Sequence, residues 1–329
     1  MKAARLYAPR KLVVEEVEKP APPAGWALVR SVAVGICGTD KAFYTGTYPL
    51  FKAPLVPGHE VAGIVEEGPE ELVGRLVVPE INFPCWECRF CRAGLYTHCP
   101  RKKTLGIDFD GGLAEYFIAP ASSLHLVDGV DPVVATEVEP LAAVLNALSQ
   151  IPLPPGSKCA VIGSGNLALL TAQVLRLAGA EPVAVVREGS PKRKHLESLG
   201  IEVLSLREAE EFAMRETEEG QGFDAVFEVS GDPAALDSAV RLARPRGVVH
   251  LKSTPGSPST VNLTWAVVKE LRIVGTRCGT FKEFREAISL LKRGLVKPVV
   301  TSVLEGVERA GEALERSLKR EEVKVVVRL

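Results

Sequence analysis

The strongest constraint on this 329-residue chain is an alternation that begins near Lys158. Short, continuous apolar runs at 159–162, 183–186, 201–204, 225–229, 248–251 and 271–274 alternate with segments of helical spacing, at 167–177, 192–199, 208–215 and 233–242. Runs this short, apolar on both faces, read as buried strands. Strands joined through helices pair in parallel, so this half of the chain is expected to be α/β, a doubly wound parallel sheet.

Between the first strand and the first helix lies Gly163-Ser164-Gly165-Asn166-Leu167-Ala168. Gly163 makes the turn, Gly165 lets a pyrophosphate approach the backbone, and Ala168 keeps the helix close to the sheet. The phosphates then sit on the helix N-terminus, at Asn166 and Leu167. Glycine-rich turns also arise for structural reasons alone, but a strand before and a helix after favour a dinucleotide. Where NAD sites place an acid for the ribose 2′-hydroxyl, this chain has Arg187, followed by Ser190, Lys192 and Arg193. Charge and donors there suit a 2′-phosphate and favour NADP over NAD. In the alternative, Lys192 and Arg193 are solvated helix residues and Glu188 binds the ribose.

The first third differs: short apolar runs at 26–34, 61–65, 76–78 and 115–119, punctuated by Gly and Pro, suggest an irregular β-rich domain. Residues 281–295 look helical, and the β-branched run 323–328 is expected to return to that first domain. Ile151-Pro152-Leu153-Pro154-Pro155-Gly156 reads as a rigid lead-in to the sheet. Forty basic and 41 acidic residues leave a net charge of -1, which offers a polyanion no footprint and makes nucleic acid an unlikely partner. With no apolar signal core and no long apolar stretch, the expectation is a soluble cytoplasmic protein away from the membrane. Two methionines, few Asn and Gln, and abundant Pro, Glu, Lys and Arg resemble thermophilic composition.

Four of the seven cysteines are bunched, as Cys85-x2-Cys88-x2-Cys91-x7-Cys99. Four thiolates make a closed tetrahedral zinc site with no position left for a substrate, hence a structural one. An iron–sulfur cluster, or a ribbon gripping nucleic acid, satisfies the ligand count too, although the ribbon lacks basic residues beyond Arg101-Lys102-Lys103. Cys37, His59 and Glu139 stand apart in sequence, and each alone is an ordinary core or surface residue. Together they make a mixed sulfur, nitrogen and oxygen set of three ligands, leaving the fourth position open as catalytic zinc requires.

The motifs Cys37-Gly38-Thr39-Asp40, Gly58-His59-Glu60, the four-cysteine lobe, Gly111-Gly112-Leu113-Ala114-Glu115-Tyr116, Glu139-Pro140-Leu141-Ala142 and the glycine turn occur in that order. In this the chain resembles the zinc-containing medium-chain dehydrogenase/reductase superfamily over nearly its whole length. The resemblance implies a GroES-like catalytic domain at 1–147 and 280–329, with its metal lobe near 84–100, interrupted by a Rossmann cofactor domain at 148–279. It implies two zincs per chain and hydride transfer between NADP or NAD and an alcohol, with polyols, sugars and other polar secondary alcohols favoured. Cys37, His59 and Glu139 resemble the catalytic ligands, with Glu137 as competitor for the third place. Glu60 resembles a residue able to approach the metal, Asp40 a hydrogen-bond partner of the His59 ring, and Thr39 the hydroxyl that takes the substrate proton. Ala42 stands where several relatives carry a relay histidine. Glu115 and Tyr48 are substrate-contact candidates, and pairing of cofactor domains implies a homo-dimer or homo-tetramer. An NADPH-dependent aldehyde or ketone reductase, and a non-catalytic NADP(H)-binding sensor, are the alternatives.

Overall fold

The computed structural model describes residues 1–151 and 153–329, so the lead-in expected at 151–156 includes one position, Pro152, outside the described residues. The chain forms two units, one of Met1–Ala142, Cys278–Gly294 and Val300–Leu329, the other of Ala143–Arg277 and Leu295–Val299.

In the second unit the alternating runs become a six-stranded sheet. Its spatial order is Glu202–Leu204, Glu181–Val185, Lys158–Ile162, Phe223–Glu228, Ala243–Leu251 and Arg272–Gly275, and every pairing is parallel. The first strand in sequence therefore lies third, beside the point where strand order reverses. Dinucleotides bind outside the carboxyl ends of the strands at such a point. Cys159, Ala160 and Val161 are fully buried, and Ala239 and Val240 of the helix Ala235–Leu242 pack in one core with Phe223, Val226 and Val249.

The first unit is built on a seven-stranded sheet in which Trp26–Gly35 pairs antiparallel with Glu60–Glu67, with Tyr116–Pro120 and with the last strand, Val325–Arg328. The chain's end thus closes on the strand that leads to Cys37. Phe43, Leu6, Leu55, Leu105 and Leu113 fill its core. A hairpin of Lys2–Ala8 with Lys11–Glu16 and the helices Val138–Ser149 and Ala310–Ser317 have no counterpart in the sequence reading.

The boundaries also differ from the expected ones. The chain crosses between units at 142/143 and 277/278 rather than near 147 and 280, and Leu295–Val299 goes back to the second unit. Gln173 explains that return. Buried on the helix Asn166–Leu177, its amide donates to the Lys297 carbonyl at 3.2 Å and accepts the Lys297 N–H at 2.8 Å, so both backbone groups of that crossing residue are satisfied.

Candidate metal and cofactor sites

Cys37 follows the strand Trp26–Gly35 and caps the helix Gly38–Thr45. The Asp40 carboxylate accepts the Cys37 N–H at 2.8 Å and the Gly58 N–H at 3.1 Å, and so ties the start of this helix to the loop that carries His59. That loop is seated by glycines. Gly58 has φ +93°, and a Cβ on Gly111 would lie 2.5 Å from the Gly58 carbonyl and 2.8 Å from that of Pro57. Glu60 opens the adjacent strand directly opposite Gly35. One ligand atom each from Cys37, His59 and Glu60 lies within 4.8 Å of the others, a set for a single ion. The Thr39 hydroxyl is 4.0 Å from the Cys37 sulfur.

Burial, reinforced by the Glu60 carboxylate, raises the Cys37 thiol and denies it the thiolate form. Burial also opposes a charge on His59, but Cys37, Asp40 and Glu139 outweigh it and hold the imidazole well above its usual range. Soft sulfur, imidazole nitrogen and a surplus of carboxylates fit zinc, whose charge would stabilise the thiolate that the protein alone disfavours.

The structure revises one expectation here. The hydrogen bond from the His59 ring to Asp40 is not formed, since Nδ1 stands 3.7 Å from Oδ1 of a carboxylate already committed to two backbone N–H groups. Of the expected carboxylates, Glu60 lies within 4.8 Å of the Cys37 and His59 ligand atoms, and Glu139, half-buried at the start of the helix Val138–Ser149, is near enough to act on His59 through its charge. Glu137, the competitor, is fully buried and lies 3.4 Å from Lys324 Nζ. Lys324, which also pairs with Glu60, is the residue sequence reasoning missed. Its signal was a lysine set between valines in the run 323–328.

The lobe is a second set. Between the short paired strands Asn82–Phe83 and Lys103–Thr104, Sγ–Sγ distances are 3.5 Å for Cys88–Cys91, 3.9 Å for Cys88–Cys99 and 3.5 Å for Cys85–Cys99. Tetrahedral zinc with bonds near 2.3 Å places its sulfurs about 3.8 Å apart. Iron and sulfide atoms of a cluster would spread the thiolates farther, so the set favours one ion. N–H groups of Glu87 and Cys88 point at Cys85 and lower its pKa to about 6, whereas desolvation pushes Cys91 up to about 12. Trp86, Tyr96 and Phe281 pack ring against ring beside them.

In the second unit, Gly163 has φ +142°, and a Cβ there would lie 3.2 Å from Ser230 Cα and Val229 Cγ2. Gly165 caps the helix Asn166–Leu177, and a Cβ on it would meet nothing within 4 Å, leaving open the approach a pyrophosphate needs. Ala168 is fully buried. The Ser164 hydroxyl lies 3.3 Å from that of Ser190, joining the glycine turn to the loop after the second strand. Arg187 is exposed and paired with Asp232, while Arg193 bonds Glu197 at 2.7 Å and the Val203 carbonyl at 2.7 Å. Arg193 is thus committed to its own helix and the neighbouring strand, and Arg187, its side chain 79% exposed against 48% for Arg193, is the more open of the two.

The substrate candidates have structural partners. The Glu115 carboxylate accepts the Lys2 N–H at 2.8 Å, and Tyr48 stacks on Phe43 with centroids 5.8 Å apart.

Residues 23–129 match the alcohol dehydrogenase GroES-like domain family and residues 167–293 the zinc-binding dehydrogenase family. L-threonine 3-dehydrogenase of Bacillus velezensis is 32% identical, with 88% of each chain covered. A protein of Sinorhizobium meliloti, described as a zinc-binding dehydrogenase and solved with NADP, superposes with TM-score 0.89 at 28% identity, covering 100% of this chain and 99% of that one. A thermostable alcohol dehydrogenase of Pyrobaculum aerophilum, solved with cobalt and zinc, gives TM-score 0.88 at 28% identity over 100% and 99% of the two chains. Fold and sites define a two-unit, nucleotide-dependent oxidoreductase. The chain belongs to the zinc-containing medium-chain dehydrogenase/reductase superfamily.

Proposed function

We propose that this chain is a zinc-dependent dehydrogenase that moves a hydride between a polar secondary alcohol, of the polyol, sugar or hydroxy amino acid type, and NADP(H). The observation that carries this reading is the convergence of Cys37, His59 and Glu60 within 4.8 Å beside the Thr39 hydroxyl. Zinc in that set supplies Lewis acidity, which brings an alcohol's pKa toward neutrality. Cys37, just past one strand, and His59, just before its neighbour, would hold the ion, and Thr39 Oγ1 takes the substrate proton. Ala42 offers no side chain to pass it on, so the proton leaves without a histidine. Glu139 is kept as an alternative third ligand, near enough to act on His59. The lobe holds a second, structural zinc through Cys85, Cys88, Cys91 and Cys99.

Gly163, Gly165, Asn166 and Leu167 receive the cofactor's pyrophosphate, with Ser190 beside them. Arg187 carries the preference for NADP, because an exposed ion pair such as Arg187–Asp232 is weak enough for a 2′-phosphate to displace. Relatives point to the substrate class: the Bacillus protein is named for threonine, and a Pseudoalteromonas atlantica relative, 31% identical, for 2-dehydro-3-deoxy-L-galactonate. Both names denote small, polar, hydroxylated acids. Glu115 and Tyr48 remain substrate contacts in this reading, Glu115 with one carboxylate edge beyond its backbone bond.

A homo-dimer or tetramer forms through the edge strand Arg272–Gly275, next to which Leu263, Trp265, Val267 and Val268 are exposed on one short helix. Among the described residues no helix is long and apolar enough to cross a membrane. The test is reduced-nicotinamide absorbance with NADP⁺ or NAD⁺ against polyols, aldoses, hydroxy acids and simple secondary alcohols. Chelator-sensitive turnover of a polar substrate supports the proposal; chelator-insensitive turnover, or none with both metals bound, overturns it.

A further inference from the structure

Three charged groups lie out of solvent behind the Cys37–His59 pair: Glu60 is 2% exposed, Glu137 0% and Lys324 2%. Lys324 Nζ donates to Glu60 Oε2 and lies 3.4 Å from Glu137 Oε1. Burial works against the ammonium, and the Glu137 and Glu60 carboxylates beside it favour it. Burying such a group is costly, and an apolar side chain of similar size is commonly no less stable, so a buried triad is weak evidence for stability as its purpose.

The strands make room for it. A Cβ on Gly35, which faces Glu60 across the ladder, would lie 2.6 Å from Lys324 Cε and 2.8 Å from Glu60 Oε2. Gly35 lacks positive φ, so space, and not backbone conformation, is what calls for glycine there. Glu60 therefore has two competing partners for one carboxylate: the cation behind it, through a channel only glycine leaves open, and whatever ion Cys37 and His59 hold.

We propose that Lys324 and Gly35 are positioning residues that hold Glu60 off the metal, and that Glu137 is the second seat that lets Lys324 release it. An ammonium has three donors and can keep Glu137 while Glu60 turns to the ion. Lys324 paired to Glu60 leaves a coordination place open, and Lys324 moved to Glu137 lets Glu60 fill it. This inference rests on the reading that Cys37, His59 and Glu60 form a metal site.

The test uses full-length protein with zinc in the lobe and cobalt(II) exchanged into the Cys37–His59 site, reading the visible d–d bands and the rate of cobalt release to a chelator. Lys324→Met frees Glu60, so the bands move and release slows, by the about 10- to 100-fold typical of groups behind a ligand. Glu137→Gln drives Lys324 onto Glu60, so release quickens. Gly35→Ala separates the pair by contact while leaving every charge in place, so it moves the bands as Lys324→Met does. Should Lys324→Met fail to fold with two buried carboxylates deprived of their ammonium, Lys324→Met/Glu137→Gln keeps the charge balance and gives the same band shift. Unmoved bands in Gly35→Ala and in the lysine variants, or release shifting the same way for Glu137→Gln and Lys324→Met, would overturn the inference while leaving the metal site intact. No cobalt at Cys37 at all would sink the metal reading itself.

Discussion

The seat of His59 depends on close backbone approach, and one methyl group tests it. Gly111 is buried with ordinary φ, so Gly111→Ala has no conformational penalty, yet its Cβ would lie 2.5 Å from the Gly58 carbonyl, 2.7 Å from Gly106 Cα and 2.8 Å from the Pro57 carbonyl. None of these is the end of a flexible side chain, so backbone must move. Overpacking of this kind costs about 1–3 kcal/mol. In a unit of this size that is a loss of about 2–12 °C in Tm. The loop that shifts carries His59, so metal at the Cys37 site should be lost along with stability. Gly311→Ala is the matched control: Gly311 lies in the helix Ala310–Ser317 and its Cβ would find only Leu12 Cδ2, at 3.7 Å. There the same change should gain up to about 1 kcal/mol, since glycine is a poor helix former. Thermal unfolding of metal-loaded proteins, with metal counted before melting, decides it. A Gly111→Ala protein that melts with the wild type and keeps its metal would refute the reasoning.

Three further outcomes follow from single contacts. Arg187→Ala should weaken NADP⁺ by about 10- to 100-fold, the worth of charge-assisted bonds to a phosphate, with little change for NAD⁺; equal losses for both would show that Arg187 does not read the 2′-phosphate. Burial, with some help from Lys252, depresses the fully buried His250 to about 4, so the unfolded chain takes up this proton as pH falls below the ordinary 6.5 while the native chain does not. Stability contributed by neutral His250 is therefore present above about 6.5 and lost between there and about 4, by roughly 3 kcal/mol; His250→Phe should flatten that acid limb in urea titrations, and an unchanged limb would contradict it. Val267→Glu/Val268→Glu should leave the molecule monomeric in light scattering if this apolar edge joins subunits, and an unchanged mass would rule the edge out.

The second unit was legible because buried parallel strands leave an uninterrupted apolar record and the glycine turn falls where strand meets helix. The first unit was less so. Its hairpin Lys2–Ala8 with Lys11–Glu16 turns at Pro9-Arg10, where the positive φ of +57° falls on Arg10 and not on the glycine or asparagine that usually marks such a turn. The helix Val138–Ser149 is almost uniformly apolar and shows little periodicity. At the metal site the ligand types could be read, but that Glu60 stands opposite Gly35 beside Cys37 and His59 depends on the register of the ladder, which the sequence does not record. Lys324 and Gly111 act through close approaches between segments far apart in the chain, which no local pattern records.

The most direct test of the account is the zinc content of the purified chain and of its Cys37→Ala variant, by elemental analysis. Two zincs in the parent and one in the variant, with the lobe still occupied, is the result this site assignment requires. One zinc in both would mean that Cys37, His59 and Glu60 hold no metal, and the proposed chemistry would fall with them.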